Sequence, residues 1–272
     1  MVFLEDDAAA HARLNYTIAL AERWQAHVIA TFVVDRLNLH PYNSFAVGSG
    51  LKAMLRQHRV EAERQQHRAR RHFEDLASSR SVSHEWRVSE DEDSEALMLH
   101  ARHASLAVIG PSVLQSESTS MLGVSEHVIF SSGRPSLLVP VNWPADRIDR
   151  RIVVGWNASR EATRALADAM PILAEAGAVH LIAVREDMLV HRYGSEPGAD
   201  IARHLAHHDI PVAVEQCDGG DAGHVLLERV RALDADMLVM GACERSRIGE
   251  VLFGSVTRTM LAQADVPILL SR

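Results

Sequence analysis

The sequence predicts an α/β protein of two tandem units, each a five-stranded parallel sheet with helices on both faces. Three observations carry this. Short apolar or β-branched runs alternate with longer stretches of helical periodicity, the pattern of parallel strands joined by crossover helices. The alternation passes through five strands, breaks at Asn142-Trp143-Pro144-Ala145-Asp146, and starts again. Gly110 and Gly123 are separated by the same 13 positions as Gly241 and Gly254. Ala104-Ser-Leu-Ala-Val-Ile-Gly110 parallels Ala235-Asp-Met-Leu-Val-Met-Gly241, and Pro135-Ser-Leu-Leu-Val139 parallels Pro267-Ile-Leu-Leu270. A tandem duplication explains these matches and divides the chain into residues 1–144 and 145–272.

In the first unit, Val2 to Leu4 reads as a short, clipped strand. Ala12, Leu14, Ile18, Leu20, Ala21 and Trp24 give Ala8 to Gln25 a helical period. His27 to Val34 is a buried strand, and Arg36 to Gly50, with Pro41, Gly48 and Gly50, a loop or lid. Leu51 to Ala77 reads as one long helix with a solvated face, and Val82 to Val88 as an alternating strand. Glu90 to Glu95 supplies acidic residues to the first turn of a helix over Ala96 to His103. Leu106 to Gly110 is a strand, Met121 to Phe130 a helix and Pro135 to Val141 the last strand. The second unit repeats the order: strand Arg151 to Trp156, helix Ser159 to Ala176 with Ser159 as N-cap, strand Ala178 to Val184, helix Ala199 to His208, strand Val212 to Cys217 and helix Ala222 to Leu233. Met237 to Met240 is a strand ending at Gly241. A polar loop follows, then a helix opened by Gly254-Ser255 and a strand from Val266.

Composition narrows the function. Of 272 residues, 47% are hydrophobic and 24% charged, a soluble globular balance. No apolar run approaches the roughly 18 residues of a membrane span. The acidic start, Met1-Val-Phe-Leu-Glu-Asp-Asp7, lacks the basic region of a signal peptide, so a cytoplasmic protein without a membrane partner is expected. The net charge is −8, and both halves are acidic, which argues against a dedicated nucleic-acid binder. Lys52 is the only lysine, so a Walker-type phosphate loop is excluded. Two isolated cysteines, Cys217 and Cys243, fit a reducing compartment.

The chemistry concentrates between Gly241 and Ser255. A strand, a glycine-bounded loop and a helix start form the layout of a phosphate site, in which the first backbone N–H groups of the helix face an anion. Gly254 permits close backbone approach, Ser255 adds a hydroxyl, and the N–H groups of Ser255 and Val256 belong to the first turn. Arg245, Arg247 and Arg258 lie nearby in sequence. Here the chain resembles the universal stress protein family in its tandem two-domain form. The family pattern is Gly-x2-Gly-x9-Gly-Ser/Thr after the fourth strand. Gly241, Glu244 in place of the second glycine, and Gly254-Ser255 follow it, as do Ser246-Arg247, Val256-Thr257-Arg258 and Val266-Pro267-Ile268-Leu269. Ile152-Val-Val-Gly-Trp-Asn-Ala-Ser-Arg-Glu-Ala-Thr-Arg-Ala-Leu166 is also similar to the family. The first repeat keeps Gly110 and Gly123, but has Val113 and Val124 at the other two marks.

The resemblance implies the strand order 3-2-1-4-5 in each unit and pairing of the units through their last strands. It also implies an ATP site, with Mg²⁺, in which Asn157 replaces an adenosine-holding Asp. The backbone near Val184 would meet the base, and Gly241, Gly254, Ser255 and Val256 would cradle phosphates. Glu244 works against this: at about 4 Å, two like charges near a surface repel by roughly 4 kcal/mol. Glu5 or Asp6 aligns loosely with the first-strand Asp in the first unit.

Other candidates are weaker. His204 and His208 share a helix face, with Asp200 one turn before, as a zinc site would want; a solvated face is the ordinary alternative. Cys243 lies near Arg245 in sequence, a setting for a redox-sensitive thiol; with no sequence cue for a His partner, an inert cysteine is the ordinary alternative. No Gly-x-Ser-x-Gly or His-Glu-x-x-His motif is present, so at most slow ATP hydrolysis is expected. The reading is therefore a regulatory or protective stress protein, homodimeric by analogy. The alternatives are a nucleotide-free interaction module, or a pocket for another small ligand under the 36–50 lid.

Overall fold

The computed structural model describes residues 1–4, 10–34, 49–89, 94–111, 124–148, 150–185, 198–218, 220–242, 244–247 and 250–272. The first half contains β1 (Val2–Leu4), α1 (Ala10–Trp24), β2 (Val28–Val33), α2 (Ser49–Ser79), β3 (His84–Ser89), α3 (Ser94–Arg102), β4 (Ala107–Ile109), α4 (Val124–Ser131) and β5 (Ser136–Leu138). The second contains β6 (Arg151–Trp156), α5 (Arg160–Leu173), β7 (Ala178–Arg185), α6 (Ala199–Ala206), β8 (Val212–Asp218), α7 (Ala222–Ala232), β9 (Met237–Gly241), β10 (Glu244–Arg247), β11 (Glu250–Phe253), α8 (Ser255–Gln263) and β12 (Ile268–Ser271).

Ten strands form one sheet in the order β3-β2-β1-β4-β5-β12-β9-β6-β7-β8. Each half has the expected 3-2-1-4-5 order and is parallel throughout. The halves join through their last strands, β5 and β12, which pair antiparallel with Leu138 opposite Ile268 and Ser136 opposite Leu270. The central strands are apolar runs because both faces are covered: Ile152, Val153, Leu181, Leu238, Val239 and Leu269 are all buried.

Helix α5 shows how sequence becomes packing. Ala162, Ala165, Leu166, Ala169, Ile172 and Leu173 recur at helical spacing and are buried as one stripe. Ser159 caps it, accepting from the Ala162 N–H at 3.1 Å. Pro171 stands in its last turn and withholds one N–H from the helix ladder there. Helix α2 is different. Its 31 residues span about 46 Å, whereas the six residues of β2 span about 20 Å. Among its described side chains only Phe73 and Ala77, near the C-terminal end, are fully buried, while Met54 and Leu55 are exposed.

The segment between the halves is pinned to the start of β9. Asp236, 4% exposed, accepts from the backbone N–H groups of Arg150 and Arg151, each at 2.9 Å. Its other oxygen accepts from Arg147 Nε at 2.5 Å, and Arg147 Nη2 reaches Asp234 at 2.6 Å. Trp143 lies against the Arg147 guanidinium at 4.9 Å and donates its indole N–H to the Arg147 carbonyl. Asp236→Ala strands two backbone donors and a guanidinium together. It should cost about 3 kcal/mol in urea unfolding, with Asp236→Asn retaining part of the network.

His72 on α2 stacks on His11 of α1 at 4.5 Å, and its Nε2 is buried without a hydrogen-bond partner. Burial, then repulsion from His11, lowers its pKa below the ordinary 6.5 against the opposing pull of Asp75. Burial also lowers that of His127, against Glu126. The unfolded chain therefore takes up protons at these sites first as pH falls. Their contribution is full above about pH 6.5 and is lost below it. Urea unfolding at pH 7.5 and 5.5 should show the lower stability at 5.5, and His72→Gln should narrow the difference.

Candidate functional site

The chain leaves β6 towards β7 on one side and returns to β9 on the other, so strand order reverses between β6 and β9. At such a switch point the loops diverge and leave a crevice at the carboxyl ends of the strands. Asn157 directly follows β6, Gly241 ends β9, and Val184 is the penultimate residue of β7. Trp156 lies opposite Ala183, and Val154 opposite Val239, which places all three residues at one end of the sheet. Gly254, Ser255 and Val256 form the start of α8.

Local chemistry gives several of these residues work within the fold. Asn157 Oδ1 accepts from the Ser159 N–H at 3.2 Å and from the Ser159 hydroxyl at 2.7 Å. Asn157 thus organises the cap of α5, and between the two residues Ala158 takes φ +53°. A left-handed alanine costs about 1 kcal/mol, a local strain at the mouth of the crevice. Gly241 is fixed by close approach. A methyl group there would stand 2.5 Å from both the Ala162 nitrogen and the Glu161 carbonyl carbon. The missing side chain makes room for the first turn of α5 against β9.

At α8 the backbone of Gly254 has φ −59° and ψ 149°, open to any residue, and no side chain caps the helix. Helices α5 and α7 are capped, the latter by Asp221, which accepts from Gly223 N at 2.8 Å and His224 N at 3.3 Å. The first-turn N–H groups of α8 have no such side-chain acceptor at their cap, and Ser255 is exposed beside them.

The polar loop expected after Gly241 is instead partly regular. Residues 244–247 and 250–253 pair antiparallel, with Glu244 opposite Phe253 and Arg247 opposite Glu250. This two-stranded ribbon pairs only with itself. Glu244 therefore belongs to the backbone of β10.

The equivalent place in the first half is filled by the protein itself. Arg13 of α1 is 2% exposed, and a methyl group at Gly110 would overlap its guanidinium. Ser125 donates its hydroxyl to the Gly110 carbonyl at 2.7 Å. Helical periodicity gave no cue that Arg13 turns inward. Glu5, Asp6, Val113, Gly123, Cys243 and most of the 36–50 lid lie outside the described residues.

The histidine helix shows no converged site. His204 and His208 meet edge to face at 4.9 Å, and Asp200 is engaged by Arg203 at 2.9 Å. Among the described residues there is no group of three or more metal-ligating side chains. The Cys217 thiol is pushed up by burial and by Glu215, the reverse of activation. No described helix is long and apolar enough to cross a membrane.

An open α/β sheet whose strand order reverses at a central switch point defines the doubly wound class of architecture. Comparison with known proteins specifies the family. Residues 150–272 match the model of the Universal stress protein family. A universal stress protein of Mycolicibacterium smegmatis is 34% identical over 70 residues, covering 26% of this chain and 54% of that protein. The stress response protein NhaX of Bacillus subtilis is 32% identical over 62 residues, 21% of this chain and 37% of its own. The chain thus spans about half or less of the curated relatives it matches. The crystal structure of a universal stress protein from Archaeoglobus fulgidus covers 100% of the chain and 97% of its own, with TM-score 0.72 and 16% identity. A functionally unknown protein from Pseudomonas aeruginosa covers 99% and 91%, with TM-score 0.59 and 15% identity. These structural likenesses establish the fold. The family match itself lies in the second half of the chain, residues 150–272.

Gly241→Ala drives a methyl group into the backbone of α5. It should destabilise the protein by about 3 kcal/mol in urea unfolding, whether or not a ligand is present. A stable Gly241→Ala protein would refute the packing role of this glycine.

Proposed function

We propose that the second-half crevice binds the phosphates of ATP, in a cytoplasmic regulatory or protective protein of the stress response. The observation that carries this reading is the start of α8, at the carboxyl end of the switch-point strands, with no side-chain cap on its first-turn N–H groups. The N–H groups of Ser255 and Val256, with the Ser255 hydroxyl, would hold phosphate oxygens. The Asn157 amide would face the adenosine, and the backbone at Val184 the base. Mg²⁺ accompanying ATP would offset the charge of Glu244. Residues 1–144 and 145–272 are the two units of this reading. The first carries no nucleotide, because Arg13 stands at its crevice. Dimerisation would use the sheet edges left by β3 and β8.

One observation favours the nucleotide-free alternative: Gly241 is already required by α5. A single substitution separates the two. Ser255 is exposed, so Ser255→Asp adds a negative charge where the helix dipole welcomes it and a phosphate does not. Titration calorimetry should show MgATP binding to the parent protein, weakened about tenfold or more by Ser255→Asp. The melting temperature should be unchanged or slightly raised. No heat at millimolar MgATP, or equal affinity in both proteins, sinks the proposal.

A further inference from the structure

A second feature lies at the same end of the sheet but outside the switch-point crevice. Because β5 runs antiparallel to β12, the start of β5 and the end of β12 meet there. A groove of about 450 Å³ opens at this place. Its first-half wall is the end of α4 and the turn into β5, with Ile129, Phe130 and Arg134. Its second-half wall is the first turns of α5 and the end of β12, with Arg160, Arg164 and Ser271; Arg272, Glu161 and Asp168 complete its charged lining.

The charge of this groove is unlike that of the molecule. Four guanidinium groups meet two carboxylates, within a chain whose net charge is −8. Asp168 is occupied by Arg164 at 2.9 Å, and Glu161 stands 3.8 Å from Arg160. Arg134 donates through Nε and Nη2 to the Arg102 carbonyl, and Arg272 donates through Nη1 to the Phe130 carbonyl. These bonds tether the two side chains at the groove. The Arg160 side chain is 97% exposed and so is open to an incoming anion. An independent sign comes from Ser271: it is 1% exposed, lines the groove, and its buried hydroxyl has no hydrogen-bond partner. Buried hydroxyls are ordinarily satisfied, so one left without a partner beside several guanidinium groups marks a place for an acceptor.

We propose that this groove, at the joint between the two halves, is a binding site for a small, multiply charged phosphate compound. Guanidinium donors recognise phosphate oxygens in pairs, and Ile129 and Phe130 add an apolar part to the lining. The site draws on both halves, so neither half forms it alone. It is separate from the start of α8, and its occupancy does not depend on nucleotide binding there.

The test uses the full-length protein with inorganic pyrophosphate as the probe, followed by calorimetry and by thermal shift. Arg160→Glu reverses a solvent-exposed charge and should weaken pyrophosphate about tenfold or more without lowering the melting temperature of the unliganded protein. Ser271→Ala should weaken it while leaving the fold intact, since the hydroxyl has no protein partner to lose. Ser255→Asp should leave pyrophosphate affinity unchanged. If ATP displaces pyrophosphate from the Ser255→Asp protein, the phosphate compound is the tail of a nucleotide; if it does not, it is a free oligophosphate. Absence of pyrophosphate binding at millimolar concentration overturns the proposal, as does binding insensitive to Arg160→Glu. Loss of binding in Ser255→Asp alone would place the anion at α8 and also overturn it.

Discussion

The pairing of β5 with β12 governs the architecture. Each half ends in a short strand, three residues in one and four in the other. Either strand left alone would present a row of unpaired backbone groups at an apolar edge. Joined, they bury Leu137, Leu138, Ile268, Leu269 and Leu270 completely or nearly so and turn two five-stranded sheets into one of ten. The antiparallel sense has a geometric result. The carboxyl ends of one half's strands lie beside the amino ends of the other's, so loops from both halves crowd the same rim. The arginine groove exists for this reason, and no arrangement of one half could produce it.

Around that joint, close packing and hydrogen bonding fix the two ends of β9. At its start Asp236 gathers the backbone of Arg150 and Arg151 with the Arg147 guanidinium, so the segment between the halves is held to the second sheet. At its end Gly241 admits the first turn of α5. The two halves solve this last problem differently. In the second, the helix backbone fills the space left by the glycine. In the first, the Arg13 side chain does so. Gly110 and Gly241 therefore both serve packing, while what fills the space beside them differs.

How much of this was legible follows the range of each interaction. The strands and helices were readable because their burial imposes a local period: α5 shows its whole buried stripe in its own residues, and Ser159 announces its start. The joining of the last strands came only with the family resemblance, since nothing in Ser136–Leu138 or Ile268–Ser271 names its partner. The candidate site was readable as a set of positions but less so as a set of roles. Asn157 and Gly241 were placed at the crevice, yet the structure shows one shaping a helix cap and the other admitting a helix. Those roles depend on distances between segments remote in sequence. The inward turn of Arg13 and the convergence of Arg134 with Arg160 and Arg164 are long-range or side-chain facts of the same kind. A pattern of one chain segment does not encode them.

Both strands of the joint belong to one polypeptide, and that changes what dilution does to it. A pair of separate subunits meeting at three opposed residue pairs would come apart as their concentration fell. Tethered segments instead face each other at an effective concentration that short flexible linkers set on the order of millimolar, whatever the amount of protein in the cell. The continuous sheet, and every surface that spans its centre, is therefore as complete in a scarce protein as in an abundant one. Carrying both strands on one chain replaces a mass-action equilibrium with a property of the single chain.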